Sequence, residues 1–325
     1  MVTFGVLVAP AAAPCSQLPL MELLALRWVL LAGTLLSTSA ASSALQEADL
    51  GPSSVPMDMA LNSFDDQYEG CEVIMRDEIV RVNRTEFATN NLYAASWRKA
   101  AKEWQNRCRR PTGCTQLRQE QVIALLAYTA ASRMCAQFNA ATRQDGRSHQ
   151  DYLHSYHFKT LHFFLTQALF ALRASQPRCY YVYRGVRGIR FMTQRGMTVR
   201  FGQFTSTSLK QKATERFGQD TLFVVKTCYG VPIKQFSFYP SEDEVLIPPF
   251  EVFEVTNFRT VNGRIQISLR SKGKMSTHNC ELLKPQGGQW GRGHQEVGLG
   301  LSPGLSLPVL PCRRRVQGEI RAQRG

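Results

Sequence analysis

The sequence has no pair of cysteines at C-x-x-C spacing, no glycine-rich phosphate loop of either common kind, no internal repeat and no apolar run long enough to span a bilayer comfortably. The first absence argues against a zinc ribbon. The second argues against a kinase-like or dinucleotide-fold enzyme, since both cradle phosphates on such loops. A metal site is equally unsupported. The six histidines, including His154, His157 and His162, lack the i,i+4 pair or the neighbouring Cys/Asp ligands that zinc requires, so they read as partly exposed helix residues.

What the chain does have is enough apolar material for a packed core: 44% of its 325 residues are hydrophobic. Its 39 Lys and Arg against 25 Asp and Glu give a formal charge of +14, which favours encounter with anionic partners. The one concentrated basic run, Arg313-Arg314-Arg315, falls in a Gly/Pro-rich tail rather than on a recognition helix, which argues against sequence-specific nucleic-acid binding. Residues 1–44 read as an export signal. Met21, Arg27 and the apolar run Trp28–Leu36 are followed by small residues, with cleavage expected after Ala41 or Ala44 and residues 1–20 as an upstream extension. Export through an oxidising compartment makes disulfides the natural use of the cysteines. Of nine, Cys15 would leave with the signal and Cys312 lies in the tail; the remaining seven are an odd number, so one is left over. The sequon Asn83-Arg84-Thr85 fits the same route as a glycosylation site.

Residues 45–62 are polar and Pro/Ser-containing and read as a leader, with the domain starting near Phe64 and running to residue 284. Up to about Ser175 the periodicity is helical. The segments Gln119–Ser132 and His157–Ala174 each present a wide apolar face. After Cys179 come short runs rich in Val, Phe, Tyr and Ile: YYVYRG, MTVRFGQF, DTLFVVKTCYG, IKQFSFYP, EVLIPPFEVFEVTNF and RIQISLRS. Asn262-Gly263 between the last two marks a hairpin, and a short helix is expected at Leu209–Phe217, capped from the Thr/Ser cluster before it. Helices first and strands second indicate an α+β domain. Residues 285–325, Gly-, Pro- and Arg-rich without periodicity, read as a disordered basic tail. The tail's weakly apolar stretch is not terminal, so no stable membrane anchor is expected.

Three polar features invite chemistry, although each has a plainer reading alone. Arg184 ends an apolar strand, where most arginines are solvated. Ser206-Thr207-Ser208 precedes a helix, where such clusters usually cap. Glu242-Asp243-Glu244 follows Pro240-Ser241, where an acidic turn is usually surface. Together they acquire a purpose. In a strand, alternation would put Glu242 and Glu244 on one face and turn Asp243 away. Paired carboxylates serve glycosyl chemistry, one opposing an oxocarbenium-like sugar and the other handling the nucleophile. A protonated guanidinium acceptor needs such a carboxylate to orient it and take its proton. The nearby arginine could grip a diphosphate bidentately.

These elements resemble the vertebrate ecto mono-ADP-ribosyltransferases, whose signature is a strand-end Arg, a Ser-Thr-Ser strand and Glu-x-Glu, in that order. Here they read Tyr183-Arg184-Gly185, Phe204-Thr205-Ser206-Thr207-Ser208 and Glu242-Asp243-Glu244-Val245-Leu246-Ile247-Pro248-Pro249, within a resemblance running from Phe64 to Cys280. The resemblance implies the toxin-like ADP-ribosyltransferase fold, a helix-rich layer on a mixed β core. It implies NAD as co-substrate and transfer of ADP-ribose to arginine side chains of proteins. Arg184 would hold the diphosphate and the Gly185 backbone the nicotinamide amide. Ser206 would orient the nicotinamide ribose and Glu244, the catalytic carboxylate. Glu242 would position the target guanidinium. Tyr128, Gln203, Phe217 and Ser237 are weaker candidates for lining the NAD site, Phe217 being as readily a core residue. The family pattern pairs Cys71 with Cys280 and Cys179 with Cys228; outside that pattern Cys108 with Cys114 is expected locally, leaving Cys135 over. The alternatives are an NAD glycohydrolase, with water as acceptor, and a catalytically silent secreted cationic binding protein.

Overall fold

A computed structural model describes residues 51–108, 116–130 and 132–285. The export signal, the upstream extension, Cys114 and the basic tail with Arg313–Arg315 lie outside the described residues. Six helices come before all but one of the strands: α1 (Glu72–Thr89), α2 (Asn91–Cys108), α3 (Gln119–Ala130), α4 (Ser132–Gln144), α5 (His149–His154) and α6 (Lys159–Ser175).

The two segments read as amphipathic are enclosed more completely than one apolar face requires. In α3 every residue from Gln121 to Ala130 is buried, and in α6 every residue from Lys159 to Leu169. Helix α3 lies among α2, α4 and α6, and a helix apolar on nearly all sides is one that is surrounded. The start of α6 has no capping side chain of its own. Its first backbone donors, which lack partners within the helix, are met instead by the buried Glu86 of α1, whose carboxylate accepts from Lys159 N at 2.6 Å and Thr160 N at 3.1 Å.

Among the histidines, His154 and His157 are exposed as expected, but His162 is not. It is wholly buried in α6, with Nε2 3.2 Å from the Phe64 carbonyl and Nδ1 2.8 Å from the Tyr68 hydroxyl. Because a carbonyl only accepts, Nε2 carries the proton and Nδ1 accepts from Tyr68. Burial pushes its pKa down to about 3, so the ring is neutral. The sequon residue Asn83 lies inside α1, its Oδ1 accepting from the Tyr93 hydroxyl at 2.8 Å.

Eight strands form one mixed sheet in the order β4-β9-β10-β6-β2-β5-β8-β7: β2 (Tyr180–Val186), β4 (Thr198–Arg200), β5 (Thr205–Ser208), β6 (Thr221–Thr227), β7 (Val231–Pro232), β8 (Glu244–Ile247), β9 (Glu251–Val261) and β10 (Arg264–Lys274). Only β6 and β10 run parallel among its neighbours. Strands β9 and β10 are joined by the expected hairpin, with Asn262 and Gly263 both at positive φ, 51° and 73°. The run IKQFSFYP is not a strand. It forms 3-10 turns at Lys234–Phe236 and Pro240–Glu242, because the apolar residues it buries, Ile233 and Phe236, are three apart, the period of a 3-10 turn rather than a strand. The expected short helix is α7 (Gln211–Thr214) continued by a 3-10 turn at Glu215–Phe217, and no serine or threonine side chain caps it.

The described part of the segment read as a leader, residues 51–62, is part of the fold. Strand β1 (Ser53–Pro56) pairs in parallel with β3 (Ile189–Met192), and Met57 is buried in the strand core. A polar, proline-containing stretch suits a two-stranded edge, which needs backbone pairing more than apolar side chains. That strand core, built around Val182, Phe223, Val225, Phe253 and Ile267, is distinct from the helical core, which reaches the sheet only at its β5-β8-β7 end through Phe204, Leu246, Val231 and Ile233. Disulfides join Cys71 to Cys280 and Cys179 to Cys228, the first tying the start of α1 to the last turn of the domain. Cys135 is not left over: it is disulfide-bonded. No helix among the described residues is long and apolar enough to cross a membrane.

Candidate active site

Strand β2 pairs with β6 along its whole length, but it meets β5 at a single position, Tyr183 opposite Ser208. Beyond that position the two strands part, and the next residues of β2 are Arg184 and Gly185. The opening is a cleft lined by Arg184, Ser206, Glu242 and Glu244, together with Tyr183, Thr207, Ser208, Thr214 and Phe217. The three sequence features, spread from residue 184 to residue 244 of the chain, therefore share one place.

Gly185 is small for a visible reason. A Cβ there would stand 2.4 Å from the Thr214 carbonyl and 2.5 Å from that of Gly218, so the α7 segment that roofs the cleft could not lie against β2. Arg184 reaches across the gap and donates from Nη1 to the Ser206 carbonyl at 2.8 Å. Burial lowers its pKa, and nearby Glu244 opposes the change. The Ser206 hydroxyl is buried and has no protein hydrogen-bond partner.

Glu244 opens β8, opposite Ser208, and is 4% exposed. Its Oε2 accepts from the Ser237 hydroxyl at 3.2 Å. Burial pushes its carboxyl up to about 7; the Glu242 charge adds to the rise, while the Ser206 and Ser237 hydroxyls and Arg184 oppose it. Glu242, 7% exposed, accepts at Oε1 from Arg216 Nη2 at 2.6 Å. Burial raises its pKa too, and Arg216 pulls it back.

The two glutamates do face one cleft, but strand alternation is not the cause. Glu242 ends a 3-10 turn and Asp243 is left-handed, with φ 46° and ψ 52°, before the strand begins at Glu244. That backbone is unfavourable for a residue with a Cβ, and ion pairs hold it. The Asp243 carboxylate pairs with Lys210 and Lys234, which also hold its pKa low. The Ser208 hydroxyl donates to the Glu242 carbonyl at 2.6 Å and accepts from Lys210 N at 3.0 Å. Ser208, expected as a helix cap, thus braces the acidic turn.

The weaker candidates divide. Phe217 lines the cleft, with Arg216 over its ring. Ser237 stands behind Glu244. Tyr128 is in the helical core, where its hydroxyl donates to the Phe204 carbonyl at 2.9 Å and supports the strand carrying Ser206; burial pushes its pKa up to about 12. Gln203, half-buried in the loop just before β5, does not line the cleft. Sequence reasoning missed Arg216, Thr214 and the lysine pair around Asp243. Arg216 adjoins Phe217 in sequence, but nothing local announces a partner 26 residues away. Among the described residues no group of His, Cys, Asp and Glu could hold a metal ion.

Residues 57–277, more than half of the chain, match the family model of NAD:arginine ADP-ribosyltransferases. The chain belongs to this family. It is 80% identical over 91% of its length to NAD(P)(+)–arginine ADP-ribosyltransferase 1 of Gallus gallus, 95% of which it covers. It is 47% identical to the GPI-linked NAD(P)(+)–arginine ADP-ribosyltransferase 1 of Homo sapiens, over 78% of this chain and 82% of that protein. The crystal structure of the eukaryotic mono-ADP-ribosyltransferase ART2.2, 36% identical, superposes on it with a TM-score of 0.60, covering 70% of this chain and 98% of that one. The α+β fold of this transferase is the one expected from its resemblance to that family.

Proposed function

We infer that this arginine ADP-ribosyltransferase splits NAD with Glu244 and delivers ADP-ribose to its acceptor through Glu242. The observation that carries this reading is the burial of both carboxylates in one cleft, one beside the Ser206 hydroxyl and the other holding a guanidinium. Arg184, with donors left after its single bond to Ser206, binds the diphosphate of NAD. The Gly185 backbone takes the nicotinamide amide, and the Ser206 hydroxyl takes the nicotinamide ribose. As the bond between C1′ and the nicotinamide nitrogen breaks, ionised Glu244 opposes the positive charge growing on the sugar. Nicotinamide leaves with the bonding electrons. An acceptor guanidine nitrogen then attacks C1′, and the proton it loses passes to Glu242.

The catalytic unit spans the residues from the β1 edge to the last turn after Cys280. Some relatives are named as GPI-linked; for this chain we favour export into an oxidising compartment, which its two described disulfides support.

Incubation of the purified protein with labelled NAD and a small guanidine compound such as agmatine tests the assignment. The expected product is ADP-ribose linked to the guanidine. Glu244→Gln loses both cleavage and transfer, whereas Glu242→Gln keeps NAD cleavage and loses most transfer. Unchanged labelling by Glu244→Gln would sink the mechanism, and a product dominated by free ADP-ribose with agmatine in excess would make the protein a glycohydrolase.

A further inference from the structure

Glu242 already holds a guanidinium, and it belongs to this chain. Arg216, on the 3-10 turn Glu215–Phe217, lies over the Phe217 ring and donates from Nη2 to Glu242 Oε1 at 2.6 Å. The pair is lopsided: the Arg216 side chain is 49% exposed and that of Glu242 only 9%. An almost buried carboxylate is costly without a counter-charge, while a half-exposed arginine gives up little on returning to water. The backbone of the turn is fixed independently of that side chain, by the close seat of Gly218 and Thr214 on Gly185 and by a 3.2 Å bond from Arg187 Nη2 to the Arg216 carbonyl. The guanidinium can swing out without moving the roof of the cleft.

We propose that Arg216 is the resident occupant of the acceptor subsite, displaced from Glu242 by each incoming acceptor arginine, and that it sets the affinity threshold for acceptors. The proposal rests on the reading of Glu242 as the acceptor carboxylate. Its chemical consequence is selectivity. An entering group must outcompete a planar fork of N–H donors already in place, which another guanidinium does on equal terms, whereas a lysine ammonium, a point charge, or water does not. Arg216 touches neither NAD nor the reacting atoms in this scheme. It is a specificity-determining residue acting through Glu242.

Agmatine titrations with the full chain at fixed NAD, reading the ratio of guanidine-linked to free ADP-ribose, test this. In Arg216→Ala the KM for agmatine falls about two- to fivefold, the range expected for losing one partly exposed charge pair, and at low agmatine the ratio rises by the same factor. Arg216→Lys falls between wild type and Arg216→Ala. On the residual transfer of Glu242→Gln, adding Arg216→Ala changes nothing. An unchanged or raised KM in Arg216→Ala overturns the proposal, because a merely structural arginine lowers turnover with and without agmatine alike and leaves the ratio where it was. If Glu242→Gln alone leaves transfer intact, the reading of Glu242 has failed instead, which is a different result from a failure of Arg216 on a working Glu242.

Discussion

Two arginines are set into this domain beside carboxylates, and they are treated in opposite ways. Arg200 and Asp65 are both buried and densely hydrogen-bonded. The guanidinium donates to Asp65 and to the carbonyls of Met59, Ala60 and Met275, while Asp65 also accepts from the backbone of Thr277 and His278 and from both their side chains. Burial alone would raise the Asp65 carboxyl, but His278 and Arg200 hold it low. This centre ties the entry of the domain to β4 and to its exit. Arg184 and Glu244 form no such closed set: Arg184 spends one donor on Ser206, Glu244 accepts one bond from Ser237, and the Ser206 hydroxyl has no protein partner. A satisfied buried ion pair fixes geometry; polar groups left with spare donors and acceptors keep their hydrogen-bonding capacity for something that arrives later.

The contrast can be broken at either end. The largest effect belongs to Glu244→Gln, which keeps the shape and removes the charge: NAD cleavage falls about 10³-fold, with the chain still folded by circular dichroism. Removing the partner at the closed centre does the reverse. Asp65→Ala leaves Arg200 buried and unpaired and lowers unfolding stability by about 3 kcal/mol in urea titrations, and whatever folded protein remains turns over NAD normally.

The two regions also answer pH with opposite signs. His162, joined to the Asp65 segment through the Phe64 carbonyl, has a folded pKa depressed to about 3 from 6.5. The unfolded chain therefore takes up the proton first, so this contribution to stability is present above 6.5 and lost as pH falls, by about 2 kcal/mol on going from pH 7 to pH 5. Glu244 has a folded pKa raised to about 7 from 4.5. It binds its proton more tightly when folded, so it favours folding below 4.5 and that contribution is lost as pH rises through 7. Thermal melts at pH 5 and pH 8 separate the two, with Glu244→Gln more stable than wild type at pH 8 by about 2 kcal/mol and His162→Gln less sensitive to acid. The smallest effect is kinetic. Since Glu244 acts ionised, kcat/KM for NAD rises with pH through about 7, and Glu242→Gln moves that limb to lower pH because the Glu242 charge contributes to the rise. An unmoved limb would place the two carboxylates out of electrostatic reach.

The order of the elements was legible because hydrophobic periodicity reports local geometry. Helices α3 and α6, the strands β2, β6, β9 and β10 and the Asn262-Gly263 hairpin all follow from it. Legibility failed where a local pattern had two solutions. Residues 233–240 alternate well enough for a strand, yet Ile233 and Phe236 are drawn into the helical core and the chain takes 3-10 turns. Ser53–Met57 has a loop composition, and pairing with β3 overrides it. His162 looks like any helix histidine until Phe64 and Tyr68 close over it. At the site, Arg184, Ser206, Glu242 and Glu244 could be named in advance only because their order resembled a family; composition and spacing alone left each as surface or cap.

By itself, then, the sequence determined which residue types this transferase carries and in what order they come along an α+β chain, since these depend on propensity and periodicity over a few residues. Tertiary structure alone decided that β2 and β5 would part after one paired position, that Asp243 would turn left-handed between two lysines, and that Arg216 would rest on Glu242. Each of those depends on groups from separate elements meeting in space, through strand geometry and charge pairing that no local pattern encodes.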